Sequence, residues 1–360
     1  MLKLSLKLAC ICVPILFFAQ VFGKFTPAET GDNRATYIAY ATAQLCDEFE
    51  INSIVTYCLP DILIAASDGS TSLLFDPGAR MREDQLAWSY DYQYLAYTDG
   101  NDIYVYDVEA GSATNITSDR PTHFEYEFKW SPTEHVLAFV SGADLSGEQR
   151  QLYVYNLDKN LRREIVGNIP VGDFSWSPDS SQILFSRAVN RMVSADLYIV
   201  ETNGTGLKRL TTTDFYTYSP EWSSDGNHVL FQIRSPRRVD SYTIYMMDKD
   251  GSHITPLVNY VIASRPNARW VLNNTSILYA ASSKGAYLAG ITFYMLDLKT
   301  NIVLQLWQVK DMMALYGLAP TRTKVVYVND NRFCLGNLMN GEVDCSDAKP
   351  YPAAVPAWGG

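Results

Sequence analysis

The sequence predicts an all-β fold in which one small sheet is repeated around a ring, and three observations carry that prediction. A tryptophan-centred motif recurs along the chain at a near-constant step. A second, tyrosine-bearing motif follows each copy at a fixed delay. The apolar runs between them are too short for helices and too uniformly apolar for strands with one wet face.

The first motif reads LAWSYDYQYLAY at 86–97, FKWSPTEHVLAF at 128–139, FSWSPDSSQILF at 174–185 and PEWSSDGNHVLF at 220–231. Two weaker copies follow, ARWVLNNTSILYA at 268–280 and YGLAPTRTKVVYV at 316–328. The anchors Trp88, Trp130, Trp176, Trp222, Trp270 and Leu318 are spaced by 42, 46, 46, 48 and 48 residues. The second motif reads NDIYVYDVEAG (101–111), QLYVYNLDKN (151–160), DLYIVETNG (196–204), TIYMMDKDG (243–251), TFYMLDLKTN (292–301) and NRFCLGNLMNG (331–341). Each then enters a short polar-to-apolar segment such as LKRLTT at 207–212.

The unit is therefore four short strands, A to D, joined by turns. Ser-Pro-Asp and Ser-Ser-Asp-Gly suit the A–B turn, where Pro presets φ and Asp bonds its own backbone. Asp-x-Asp-Gly and its variants suit the C–D turn, with Gly at positive φ. Inner strands such as Ile103-Tyr104-Val105-Tyr106 are apolar on both faces, so each sheet must lie between two others. A ring of such sheets is a β-propeller.

Residues 36–360 hold about seven units of roughly 46 residues. Six are complete. The seventh is split: TYIAYATA (36–43), DILIAASDG (61–69) and STSLLFD (70–76) resemble strands B, C and D, and AVPAWGG (354–360) supplies strand A. Seven four-stranded blades closed by the C-terminal strand are the expected architecture, with six blades the alternative. Residues 24–35 are a polar lead-in linker.

Residues 1–23 read as a signal peptide, with Lys3 and Lys7 before an apolar run from Leu8 to Val21 and small residues before Lys24. An uncleaved N-terminal anchor is the alternative. No second long apolar run follows, so export to the periplasm, the cell envelope or the medium is expected, without an integral membrane domain. The net charge of −10 argues against nucleic acid or an anionic membrane surface as partner. Beyond the leader stand Cys46, Cys58, Cys334 and Cys345, with three possible pairings. Local pairs, Cys46–Cys58 and Cys334–Cys345, are expected, since the latter flank the Asn340-Gly341 turn of one hairpin. Sequons stand at Asn115, Asn203, Asn273 and Asn274.

The Trp-Ser-Pro-Asp and (Asp/Thr)-(Ile/Leu)-Tyr pattern resembles the WD-repeat-like propellers of the TolB family, a repeat shared with the propeller of the dipeptidyl peptidase IV family. The resemblance covers nearly all of the chain after the leader and implies the fold more than an activity. TolB carries an α/β domain before a six-bladed propeller, whereas only twelve residues separate the leader from the first strand here. The peptidases need a hydrolase domain, and no Gly-x-Ser-x-Gly elbow occurs in this sequence.

The chemistry-bearing residues mostly follow the repeat. His123, His135, His228 and His253 lack metal-ligand spacing, although histidines of different blades could converge in a central channel. Asp107, Asp248 and Asp297, like Asp179 and Asp225, recur at turn positions and suit turn bonding, with a ring of metal ligands the alternative. The recurring tryptophans suit wedges between blades, with carbohydrate stacking the alternative. No cofactor, metal or catalytic set is expected.

The connections that depart from the repeat are D–A and B–C, which emerge on one face. They place Phe124, Tyr126, Phe215, Tyr216, Tyr218, Arg234, Arg237 and Arg238 there. Aromatic side chains and Arg are enriched at interface cores; packing beneath their own loops is the alternative. A monomeric, non-catalytic propeller that binds a protein or peptide is the functional expectation. A propeller hydrolase or lyase, or a glycan-binding propeller, is the alternative.

Overall fold

The computed structural model describes residues 37–41, 62–66, 71–75, 86–98, 101–118, 124–143, 150–167, 169–188, 194–212, 216–234, 241–262, 268–282, 291–309, 316–318, 322–329, 332–345 and 357–359. Their strands are β1 (Tyr37–Ala41), β2 (Ile62–Ala66) and β3 (Thr71–Phe75). Blade 1 follows with β4 (Leu86–Trp88), β5 (Tyr94–Thr98), β6 (Ile103–Asp107) and β7 (Ser112–Asn115). Blade 2 has β8 (Phe124–Trp130), β9 (Val136–Gly142), β10 (Gln151–Asn156) and β11 (Leu161–Val166). Blade 3 has β12 (Val171–Trp176), β13 (Gln182–Ala188), β14 (Ala195–Glu201) and β15 (Lys208–Arg209). Blade 4 has β16 (Thr217–Trp222), β17 (His228–Arg234), β18 (Ser241–Asp248) and β19 (Thr255–Ile262). Blade 5 has β20 (Arg269–Val271), β21 (Ser276–Ser282), β22 (Ile291–Asp297) and β23 (Ile302–Val309). Blade 6 has β24 (Tyr316–Leu318), β25 (Lys324–Asn329), β26 (Arg332–Asn337) and β27 (Val343–Cys345), and β28 (Ala357–Gly359) ends the chain.

Each blade is an antiparallel meander in the order A-B-C-D, so the fold is an all-β propeller. Six blades are built from consecutive strands, the blade number that the sequence left as the alternative. The remaining sheet is composite, in the order β28-β1-β2-β3, with Trp358 opposite Ile38. It bears on whether the ring counts seven, and β28 lies against both β4 and β24, the inner strands of the first and last blades.

Cross-strand pairs explain why the repeat is written as it is. In blades 1 to 5 an aromatic residue of strand B stands directly opposite the tyrosine of strand C: Tyr97–Tyr104, Phe139–Tyr153, Phe185–Tyr198, Phe231–Tyr245 and Tyr279–Tyr294. Their rings stack with centroids 5.2–5.9 Å apart. Such pairs contribute up to about 1 kcal/mol each. In blade 6 the residue opposite Tyr327 is Cys334, which forms a disulfide with Cys345 across the β26–β27 hairpin. That disulfide ties strand C to strand D, and Tyr327 stacks instead on Trp307 of blade 5, with centroids 5.8 Å apart. Cys46 and Cys58 lie outside the described residues.

Four of the five anchor tryptophans are core, as expected, and Trp88 is half-buried at the edge of it. Trp130, Trp176, Trp222 and Trp270 are buried, and three of them also tie neighbouring blades. Trp130 Nε1 donates to Ala87 O (2.9 Å), Trp176 Nε1 to Lys129 O (2.9 Å) and Trp270 Nε1 to Glu221 O (3.2 Å). In each case the acceptor is the residue just before the preceding blade's tryptophan. Burying a large apolar ring while pairing its one polar atom satisfies both demands of the interior.

Candidate binding face

The two rims of the ring are built differently. On the A–B and C–D rim, one hydrogen-bond arrangement is repeated. Ser89, Ser177 and Ser223 each donate Oγ–H to the aspartate two residues on, Asp91, Asp179 and Asp225, at 2.8, 2.6 and 2.6 Å. The same serine oxygens accept the backbone N–H groups of Tyr94, Gln182 and His228 (3.0, 2.9 and 2.9 Å), which closes the turn into strand B. Serine and backbone donors hold the Asp179 and Asp225 carboxyls below the usual carboxylate range. At the C–D turns Asp107 accepts from the N–H of Glu109 and Ala110 (2.9 Å each), and Asp297 from Lys299 and Thr300 (3.0 and 2.7 Å). The recurring acids are turn formers, and among the described residues no three His, Cys, Asp or Glu side chains gather as a metal site.

His135 also belongs to this rim. Its Nε2 faces Asp91 Oδ2 of the preceding blade at 2.8 Å, and its Nδ1 faces Asp158 Oδ1 at 3.2 Å. Tyr94 packs edge-on against the ring at 4.9 Å. Burial works against the imidazolium, but the two carboxylates together outweigh it and raise the His135 pKa. His253 bonds Asp248 at 2.7 Å within its own turn.

On the D–A and B–C face, blade 4 assembles a cluster that is not repeated among the described residues of the other blades. Tyr216 and Tyr218 are two residues apart at the start of its inner strand, which puts both rings on one side. The ring centroids lie 4.4 Å apart. Arg234, at the end of β17, places its guanidinium 5.6 Å from the Tyr216 centroid and 6.0 Å from that of Tyr218. Tyr242 packs edge-on against Tyr218 at 5.8 Å. Tyr216, Tyr218 and Arg234 are half-buried, so each keeps surface open to solvent. Burial pushes the Tyr218 hydroxyl up to about 12 against the opposing influence of Arg234, and raises that of Tyr216 as well. Both phenols are therefore neutral hydrogen-bond donors at pH 7.

Irregular inner strands recur in blades 2, 3 and 4. β8, β12 and β16 each break register with their neighbour, between Glu125 and Glu127, Val171 and Phe174, and Tyr218 and Glu221. Ser219 sits at φ 45°, a left-handed conformation rare for a residue with a side chain. Asp173 of blade 3 holds it there, accepting from Ser219 N–H at 3.0 Å and from its hydroxyl at 3.3 Å. Thr217 Oγ1 donates to Ala195 O of blade 3 at 2.7 Å, so the cluster rests on two blades. Bulges of this kind gather beside functional sites because they re-aim side chains.

Of the residues expected on this face, the structure brings Tyr216, Tyr218 and Arg234 together. Phe124 stands half-buried at the start of β8, and Tyr126 lies within the β8 irregularity. Phe215, Arg237 and Arg238 lie outside the described residues. Sequence reasoning missed Tyr242, Asp173 and Ser219. Tyr242 had a signal, because it precedes the strand C motif where blades 2 and 3 carry Arg150 and Ala195. The Asp173–Ser219 bond joins two connections and leaves no trace in either alone.

Solved structures share the fold. The chain superposes on an oligogalacturonate lyase in complex with manganese with a TM-score of 0.59 at 14% identity, covering 79% of this chain and 80% of that one. TolB from Acinetobacter baumannii gives 0.51 at 18% identity, over 94% of this chain and 68% of the other. Dipeptidyl peptidase 4 from Porphyromonas gingivalis gives 0.55 at 11% identity, over 83% and 50%. At these identities the likeness is one of fold. The profile of the TolB beta propeller domain matches residues 85–308, more than half of the 360-residue sequence and the span of blades 1 to 5, and the chain belongs to that family.

Proposed function

We propose that this is an exported, non-catalytic propeller that binds a protein or peptide through the D–A and B–C face, with Tyr216, Tyr218 and Arg234 at the centre of contact. The observation that carries the reading is the blade 4 cluster itself. Two neutral tyrosines and a guanidinium share one half-buried patch, off the repeat, on bulged and cross-braced strands. Aromatic anchors and Arg held rigid before binding lose little entropy on contact. In this reading Phe124 and Tyr126 of β8 belong to the same face, and Phe215, Arg237 and Arg238 are assigned to it from the sequence alone.

Residues 1–23 act as the leader and 24–35 as the lead-in to the propeller in this reading. The Cys334–Cys345 disulfide supports export, since such bonds persist in oxidising compartments. The composite sheet serves as a seventh blade, closing the ring by a non-covalent clasp between the two ends of the chain. The test is affinity isolation from the native envelope fraction with the full chain and with Tyr216→Leu/Arg234→Ala. The double variant should keep the melting temperature and lose the partner. A variant that folds and retains every partner places the binding face elsewhere.

A further inference from the structure

The four sequons fare differently in the fold, and only one stands clear of it. Asn115 is half-buried; its Nδ2 donates to Asp102 Oδ2 (2.9 Å) and its Oδ1 accepts from Thr117 N–H (2.9 Å). Thr117, the hydroxyl residue of that sequon, is buried, donates to Asp102 Oδ1 (3.1 Å) and accepts the N–H of Ile103 (2.8 Å). Asn274 spans two blades, with Nδ2 on Ser224 Oγ (2.8 Å) and Oδ1 on Ser224 N–H (3.0 Å). Asn273 is exposed, but its Thr275 hydroxyl turns away to Leu272 O at 2.7 Å, and it adjoins that inter-blade clamp. A sugar at any of these three positions would crowd a bond that holds strands or blades together.

Asn203 is free of such duties. Residues 203–209 form an exposed run at the outer edge of blade 3, on the rim away from the tyrosine cluster. The turn closes through its backbone, with Gly204 N–H on Glu201 O (2.8 Å) and Glu201 N–H on Thr205 O (3.0 Å). Gly204, at φ 86°, takes the positive-φ position and passes close to Ile165 of blade 2. The Asn203 Oδ1 accepts from both the N–H (2.8 Å) and the hydroxyl (2.7 Å) of Thr205, which leaves Nδ2 directed at solvent without a partner among the described residues.

We propose that Asn203 is an N-glycan acceptor and the one sequon of the four that carries an oligosaccharide. The donor is a lipid-pyrophosphate-linked oligosaccharide. Asn203 Nδ2 attacks the anomeric carbon, a C–N bond forms, the carbon–oxygen bond to the pyrophosphate breaks, and Nδ2 gives up one proton as the lipid pyrophosphate leaves. The modified nitrogen keeps one hydrogen, and the Thr205 bonds to Oδ1 are untouched. The proposal rests on export but not on the binding face, which stays clear of the sugar.

The test is translation of the full chain in the presence of secretory microsomes, followed by protease protection and peptide-N-glycosidase F. The expected result is a protected chain with a single-glycan mobility shift, lost on enzyme treatment and absent in both Asn203→Gln and Thr205→Ala. Asn115→Gln and Asn274→Gln should leave the shift in place. A protected chain with no shift, or a shift that survives Asn203→Gln, overturns the assignment. A chain that remains unprotected overturns export and the glycan site with it.

Discussion

The two rims of this propeller are made from the same repeat, yet one obeys it and the other does not. At the A–B and C–D rim, Ser89–Asp91, Ser177–Asp179 and Ser223–Asp225 make one arrangement three times, with distances that differ by 0.2 Å. At the opposite face, Tyr216, Tyr218, Tyr242 and Arg234 of blade 4 form a cluster that the described residues of the other blades do not repeat. Repetition at equivalent positions is what a fold needs from every blade. Departure from it, at a half-buried patch on strained backbone, is what a single binding site needs from one. The difference separates residues that hold the ring from residues that can be spent on a partner.

Perturbations of the ring should show first in stability. Truncation at Pro352 removes β28, exposing β1 as an open edge and uncovering the inner strands of blades 1 and 6. The expected outcome is an insoluble chain or a clearly lower melting temperature; an unchanged melt would refute closure through the C-terminus. Cys334→Ala should be next, since a disulfide closing a loop of this size contributes roughly 2–3 kcal/mol, read by chemical denaturation. Trp176→Phe keeps most of the ring and removes the donor to Lys129 O, and should cost about 1 kcal/mol for the orphaned carbonyl and lost bond.

The smallest effect on this rim is set by pH. The His135 pKa is raised in the fold above its unfolded value of about 6.5 by Asp91 and Asp158, whose combined pull exceeds the burial that opposes it. Its stabilisation is therefore full below about pH 6.5 and is lost as pH rises through the folded value. An ion pair of this kind contributes about 0.2–1 kcal/mol. Denaturation of the native chain and His135→Gln, followed from roughly one unit below that unfolded value up into the alkaline range, should show the gap between them closing as pH rises. A gap that is constant or widens contradicts the assignment.

Much of this was legible in the sequence because the fold is periodic. Each tryptophan, turn aspartate and strand C tyrosine is confirmed by its equivalents in other blades, so the signal adds up along the chain. Blade 6 tests the rule: where the strand C tyrosine is missing, Cys334 stands in its place, and its spacing to Cys345 across a turn marked the pair. What could not be read was whatever joins two blades off the repeat. The Glu221 carboxylate meets Arg322 Nη1 at 2.7 Å from a residue 101 positions away, and Asp173 meets Ser219 across 46. Those pairs depend on the bulges of β12 and β16 and on how neighbouring inner strands approach, which no local pattern encodes.

Photo-crosslinking measures directly whether a partner contacts the irregular face and leaves the regular rim untouched. A photo-crosslinking amino acid is placed at Tyr216 in one chain and at Asn227, on the A–B rim of the same blade, in another. Both are illuminated in the native envelope fraction. The expected result is a discrete adduct from position 216, lost in the Arg234→Ala background, and none from position 227. An adduct from 227 with none from 216 would contradict it.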